Sequence, residues 1–521
     1  MRRRIYSSGT ILANAFTSLA LVLLFSLATP AQSASRRNAG ATPEQRTASY
    51  LESIRKSPPQ MLAFMLKMPK GGDLHNHLSG SIYAESYIEW AAEKNRCVNT
   101  TTMVVSLPPC DQPGQLQASA ALTNPVLYRQ WIDAWSMRFS QLSGQSGHDH
   151  FFDAFGKFSV ATYDMNGKML ADTAKRAARG HVLYLELMLT PDNGKSSDIG
   201  KGVDWDGSLP SMLEKLKSKG IADAVPIGIK TVHDAEEEKD TLLKCNTPEA
   251  EAGCSVTIRY ISQVSRGAPL SQVFAQMITG FALANDPNSK VVALNLVQAE
   301  DGFTAMKYFK KHMEMLGFLH SLYPNVNITL HAGELAPGIV PPEGLTFHIS
   351  DSVRVGHARR IGHGVDIMHE DNPYDLLREL ARLDVLIEIC LTSNDVILGI
   401  SKEQHPLATY MKYDVPVALA TDDEGVSRSE ISREFLKAAE EQGLGYIQLK
   451  TMARNSLQYS FLPGASLWSD ARKFVPVAEC AKDIPGMKTA SDACSQFKAG
   501  SKKAELQWKL EEEFREFESL Y

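Results

Sequence analysis

Two histidines one residue apart, in the stretch LHNHLSG at 74–80, carry the first chemical signal in this chain. On a β-strand, residues i and i+2 leave the same face, so the imidazoles of His75 and His77 would converge on one point. The pattern is weak alone, but three other stretches offer partners. LHAGE supplies His331 and Glu334, RRIGHG supplies His363, and ALATDDE supplies Asp422 and Asp423. Three imidazoles and one carboxylate (His75, His77, His331, Asp422) suit a borderline-soft Zn²⁺ that keeps one position open. Zinc held there would bring the pKa of a water near 7. His363, in a tight turn, is the candidate to receive that water's proton, because a neutral imidazole can accept it. Glu334 is a carboxyl able to protonate a substrate, and Asp423, beside the ligand Asp422, is free to bind one.

Positioning these groups is the work of eight short apolar runs. They lie near 72–78, 181–190, 255–266, 290–298, 327–334, 359–366, 385–394 and 415–424. Near-continuous β-branched and leucine-rich runs signal a parallel sheet covered on both faces. Helical patterns separate several of them, among them PSMLEKLKSKG, SQVFAQMITGFALAN, FTAMKYFKKHMEMLGFLHSLY, PYDLLRELARLD and HPLATYMKY. Eight such units predict an α/β fold, a (β/α)8 TIM barrel. The chemical residues then fall at the C-terminal ends of runs one, five, six and eight, the barrel face on which active sites are built.

The motifs MPKGGDLHNHLSG, LHAGE, RRIGHGVD, CLTSN and ALATDDE, in this order over roughly 68–425, resemble the adenosine deaminase family. The resemblance implies one Zn²⁺ per chain on His75, His77, His331 and Asp422. It implies that Glu334 donates a proton to purine N1, that His363 orients and deprotonates the water, and that Asp423 bonds N7. The activity implied is hydrolytic deamination of adenosine, and of 2′-deoxyadenosine, to the inosine product and ammonia. Two positions depart from the family pattern. Ser79 stands where an Asp meeting the ribose is common, and Gln298 stands where a glycine usually lets the purine approach the backbone. Both bear on the nucleoside pocket and leave the metal ligands intact.

The amino terminus reads as a leader. MRRR precedes the apolar TSLALVLLFSLA, and Ala31 and Ser33 fit the −3 and −1 positions of a cleavage site. Residues 1–33 are therefore expected to be a signal peptide and the mature chain periplasmic or secreted, with no membrane segment. Seven cysteines agree with export: Cys97 with Cys110, Cys245 with Cys254 and Cys480 with Cys494 bracket polar loops, while Cys390 sits alone in an apolar run. With the leader, the disulfides and the long first connection, the chain is most similar to the secreted, growth-factor-related branch of the family. The expected organisation is a helical segment at 34–70, the barrel at 71–463 and an extension at 464–521 with a charged helix. The barrel carries a helical insertion at about 91–180, long enough to cap the pocket mouth.

Other candidates read as structural. His148 and His150 follow a Gly/Ser-rich stretch and suggest a surface loop, and His357 suggests a helix surface. His181, His233, His348 and His405 show no partners that suggest chemistry. Trp131 and Trp135, four apart, read as one buried helix face, and MLAFMLKM at 61–68 as packing against the barrel base. Leu506, Leu510, Phe514 and Phe517 form an apolar stripe fit for the barrel or for the partner of a homodimer. With 44% hydrophobic and 22% charged residues the 521-residue chain is globular in type. A formal charge of −6, about −9 without the leader's three arginines, gives no electrostatic support for nucleic acid. Two other readings stay open: a two-metal hydrolase of amides or esters, for which NLVQAED lacks the bridging lysine, and a binding protein that has lost catalysis.

Overall fold

The eight expected runs become eight parallel strands in a computed structural model that describes residues 40–521. They are β1 Gly71–His77, β2 Val182–Leu189, β3 Thr257–Ser265, β4 Val291–Val297, β5 Asn327–Ala332, β6 Arg360–His363, β7 Leu386–Ile389 and β8 Val417–Leu419. Each pairs with the next in order. The ring is completed at its C-terminal end, where Asn76 bridges Asp422 in parallel. There Asp422 N–H donates to the His75 carbonyl (2.8 Å) and His77 N–H to the Asp422 carbonyl (2.9 Å). This is the anticipated (β/α)8 barrel, with shorter strands than the apolar runs suggested. CLTSN, for example, leaves β7 to open the helix Leu391–Leu398.

Burial explains the composition of the strands. Every residue of VLYLELML in β2 is buried, as helices cover one face and the barrel interior the other. The interior is not wholly apolar. Arg360, Glu186 and Glu388 meet there fully buried, Arg360 reaching Glu186 (2.5 Å) and Glu388 (2.6 Å).

The connection from β1 to β2 holds a three-stranded antiparallel sheet (Cys97–Asn99, Val105–Ser106, Gln115–Gln117) and several helices. Trp131 and Trp135 are buried there and stacked. His148 and His150 lie in the helix Gly147–Phe158, not in a loop, because the Ser146 side chain caps its first turn by accepting from Asp149 N–H (3.0 Å). His150 is buried on the Asp133 and Ser136 carbonyls, whereas His148 bonds Asp301 after β4 (3.0 Å). His357 is exposed, as expected, but in the turn before β6 at φ 57°, not on a helix.

All three expected disulfides are present, and Cys390 is a buried free thiol. Met61, Phe64, Met65 and Met68 are buried in the main core. Leu506, Leu510, Phe514 and Phe517 also pack into this core, so the C-terminal stripe is covered by its own chain. The proposed leader, 1–33, lies outside the described residues. Among the described residues no helix is long and apolar enough to cross a membrane.

Candidate active site

His75 and His77 end β1, His331 ends β5, and Asp422 follows β8 after a two-residue extension. Their ligand atoms converge. His331 Nε2 lies 3.0 Å from His75 Nε2 and 3.2 Å from His77 Nε2. Asp422 Oδ1 lies 3.4 Å from both His75 Nε2 and His77 Nε2. Ligands about 2.0–2.1 Å from a tetrahedral ion are about 3.3–3.4 Å apart, so these spacings match the edges of a zinc tetrahedron. Buried Asp422 Oδ1 has no hydrogen-bond donor, an arrangement that is costly unless a cation satisfies it. The residues therefore fit the metal that the motifs imply.

Each ligand is aimed by a second polar group. His75 Nδ1 meets Glu388 Oε2 at 2.6 Å, His331 Nδ1 meets Asn295 Oδ1 at 2.9 Å, and His77 Nδ1 meets Gln263 Oε1 at 3.3 Å. An Nδ1–H donated to oxygen leaves the Nε2 lone pair facing the centre. Ser393 Oγ donates to Asp422 Oδ2 (2.7 Å). Glycine at 362 is required by this packing, since a Cβ there would stand 2.5 Å from His75 Cε1.

The electrostatics sort the ligands. Burial pulls His77 down to about 4, and burial with the neighbouring imidazoles pulls His331 well below its usual range. Burial acts on His75 too, but the Asp422 and Glu388 carboxylates override it and lift its pKa to about 10 in the metal-free chain.

Beside this centre lies a cavity of about 490 Å³. Ser79, Gln298, Glu334 and Asp423, all singled out in the sequence, line it together with His77, His331 and Asp422. Glu334 is pushed up to about 8, chiefly by burial and then by the charge of Asp422. Asp423 is raised well above the carboxylate range by burial and by Asp422, and its Oδ1 has no partner. Gly80 makes room for it: a Cβ there would sit 1.5 Å from Asp423 Oδ1. His363 is fully buried, with Nε2 unpartnered, 3.7 Å from Glu334 Oε1 and 4.0 Å from Asp422 Oδ2.

Three of these residues hold left-handed backbone that non-glycine residues rarely adopt: Gln298 (φ 79°), His363 (φ 70°) and Asp422 (φ 59°). Each comes directly at or just after a strand end, where the reversal turns a side chain across the barrel mouth. The Gln298 side chain is partly tied down, its Oε1 accepting from Gly267 N–H (3.0 Å). Phe151, Phe152 and Phe155 of the insertion wall the opening, so the insertion does reach the pocket.

Several contributors were not evident from the motifs. Glu300 accepts from the backbone N–H of Gly333 (3.2 Å) and Glu334 (2.8 Å) and meets His348 Nδ1 at 2.5 Å, bracing the HAGE turn. His405 also has a partner, bonding Asn394, which in turn bonds His363. The signal for Glu388 and Asn295 was available: each is a lone polar residue inside an otherwise apolar strand. Gln263 has no such mark, because its strand TIRYISQVS carries several polar residues.

Residues 143–467 match the family model for adenosine deaminase. The chain is 24% identical over 394 residues to an adenosine deaminase of Erwinia tasmaniensis, covering 75% of this chain and 93% of that one. It is 26% identical over 391 residues to one of Salmonella typhimurium, with the same coverage. Among solved structures, an adenine deaminase of Arthrobacter aurescens superposes with a TM-score of 0.52 at 17% identity, over 86% of this chain and 99% of that one. A zinc-bound amidohydrolase of Burkholderia ambifaria gives 0.50 at 16% identity, over 77% and 88%. These two share the barrel fold. With the family match spanning more than half its length, the chain belongs to the adenosine deaminase family.

Proposed function

We propose that this deaminase hydrolyses the 6-amino group of adenosine and 2′-deoxyadenosine, releasing ammonia, with zinc as its metal. The observation that carries the reading is the meeting of three Nε2 atoms and one carboxylate oxygen beside a carboxyl lifted to about 8. When bound, zinc would supply the Lewis acidity that makes water a nucleophile at neutral pH. The other steps belong to the chain. Glu334, pushed up to about 8 in the metal-free chain, gives its proton to ring N1 as C6 is attacked, so negative charge does not build on the purine. Its carboxylate then carries the hydroxyl proton of the adduct to the amino nitrogen, which leaves as ammonia as the C6 carbonyl forms. Asp423, whose carboxyl burial and then Asp422 push well above the usual carboxylate range in the metal-free chain, donates to N7, a lone pair that needs a donor. His363 Nε2 faces the space between Glu334 and Asp422 and orients the attacking oxygen. Ser79 and Gln298 bear on the ribose and the purine face, and Phe151, Phe152 and Phe155 exclude water.

Among the described residues lining the cavity none is lysine or arginine, while Glu334, Asp422 and Asp423 are acidic. Beyond the metal centre a phosphate dianion would find no basic side chain to pair with in this lining, which favours a nucleoside over a nucleotide. The leader motif and three disulfides support an exported enzyme. The test is ammonia release by the purified zinc-loaded chain from adenosine, 2′-deoxyadenosine, AMP and adenine. The two nucleosides should be turned over fastest. AMP turned over faster than either would overturn the nucleoside reading, and no release from any of the four would overturn the activity.

A further inference from the structure

We propose that Asn394 and His405 are positioning residues that fix His363 as the tautomer with its hydrogen on Nε2, so that His363 presents a donor, not a lone pair, to the pocket. The inference starts from a group that can only donate. Leu407 opens the helix Leu407–Lys412, and its backbone N–H, without an intrahelical acceptor, points at His405 Nδ1 (3.2 Å). His405 Nδ1 must therefore accept. His405 is 2% exposed, and burial, with Lys437 nearby, lowers its pKa to about 4, so the ring is neutral and its one hydrogen is on Nε2.

Direction then passes along the row. His405 Nε2 lies 3.1 Å from Asn394 Oδ1, which among the described residues is the acceptor for that hydrogen. The Asn394 carbonyl is thereby turned toward His405 and its amide NH₂ toward His363, where Nδ2 meets Nδ1 at 3.0 Å. A flipped Asn394 would set N–H against N–H at His405. His363 Nδ1 accepts, and a neutral ring accepting there carries its hydrogen on Nε2. Donation from Asn394 also disfavours an imidazolium, which would bring a second hydrogen to the same contact.

The consequence for catalysis, which rests on the deaminase reading above, differs from the role implied by the family motifs. His363 holds the attacking oxygen by donating a hydrogen bond to it and takes no proton from it; the proton that the water loses on becoming hydroxide goes to solvent. His405, 42 residues beyond His363 in sequence and outside the pocket lining, becomes part of how that oxygen is oriented.

The tautomer can be read directly by ¹⁵N solid-state NMR of histidine-labelled, zinc-loaded protein, with His363 assigned by its loss in His363→Gln. The expected result is a protonated Nε2 and a bare Nδ1; a protonated Nδ1 would overturn the proposal whether or not any nucleoside is deaminated. Asn394→Asp replaces the donor by an acceptor and should move the hydrogen to Nδ1. Turnover should then fall by about 10²-fold or more, the cost of a wrong tautomer, with zinc content and KM little changed. A moved hydrogen with undiminished kcat would refute the donor role. His405→Gln, which can still donate to Asn394, should restore most of the kcat that His405→Phe loses, and equal activity in the two would count against the relay.

Discussion

Glu388→Gln tests how the metal centre is held. The Glu388 carboxylate is 1% exposed and takes three hydrogen bonds: from His75 Nδ1 (2.6 Å), Thr329 Oγ1 (2.9 Å) and Arg360 Nε (2.6 Å). Glutamine has one acceptor oxygen in place of two. If that oxygen keeps Thr329 and Arg360, the new amide faces His75 Nδ1–H, donor against donor. Loss of such a partner costs about 10–100-fold in metal affinity, or about 1.4–2.8 kcal/mol. Stability falls as well. Burial would raise the Glu388 pKa, but Arg360 and His75 overrule it and hold it at about 2, against an ordinary 4.5. A depression of that size is linked to about 3 kcal/mol in a buried group. Its sign fixes the pH window: the contribution is complete above about 4.5 and is lost as pH falls toward about 2. Chelator competition should report the weaker metal binding, and urea unfolding of the metal-free proteins should show the gap at pH 7 narrowing below pH 4.5. A Glu388→Gln protein that binds zinc as tightly as the parent, with an unchanged unfolding midpoint, would refute the reasoning.

Metal affinity should itself depend on pH through one imidazole. His75, at about 10, must shed a proton to bind, whereas His77, at about 4, and His331 are already neutral, so log K for zinc should rise by about one per pH unit between pH 5 and 7. A slope near three would contradict this assignment. Glu334→Gln keeps the carboxyl's shape without its proton; it should retain zinc while turnover drops about 10²–10⁴-fold, whereas His331→Ala should lose the metal, both read by metal analysis beside ammonia release. Gly80→Ala would drive a Cβ into Asp423 Oδ1, costing about 1–3 kcal/mol of stability by overpacking and raising KM without releasing zinc.

The barrel and the ligand set were legible because both depend on local pattern. Apolar runs of strand length marked each strand, and polar residues at their ends marked the catalytic face. What stayed hidden depends on closure. Glu388 and Asn295 look like interruptions of apolar strands, and Gln263 like one polar residue among several in TIRYISQVS, until the ring brings each opposite a particular imidazole. His405 reads as an isolated histidine because Asn394 and His363 reach it only through the turn of a helix and the end of another strand. The helix at 147–158 was obscured by Gly144, Ser146 and Gly147 ahead of it, although Ser146 with Asp149 three residues later is the pattern of a capped first turn. Glu300 was visible in NLVQAED, but its role as a brace for HAGE follows from backbone N–H groups, which no side-chain motif displays.

The barrel seam gives the metal a second meaning. His75 and His77 stand on the first strand and Asp422 just past the last, and Asp73 and Thr421 join across the same seam at a sequence separation of 348 residues. An ion held by these ligands is therefore a clasp between the two ends of the ring. It could not be fully ligated until the last strand had docked beside the first, so tight metal binding would be a sign that the barrel has been completed. A metal held by these ligands more tightly than by the open chain would in turn hold the seam shut. Chemistry and closure are thus set by one event, and a chain that fails to join its ends is also a chain that cannot begin to catalyse.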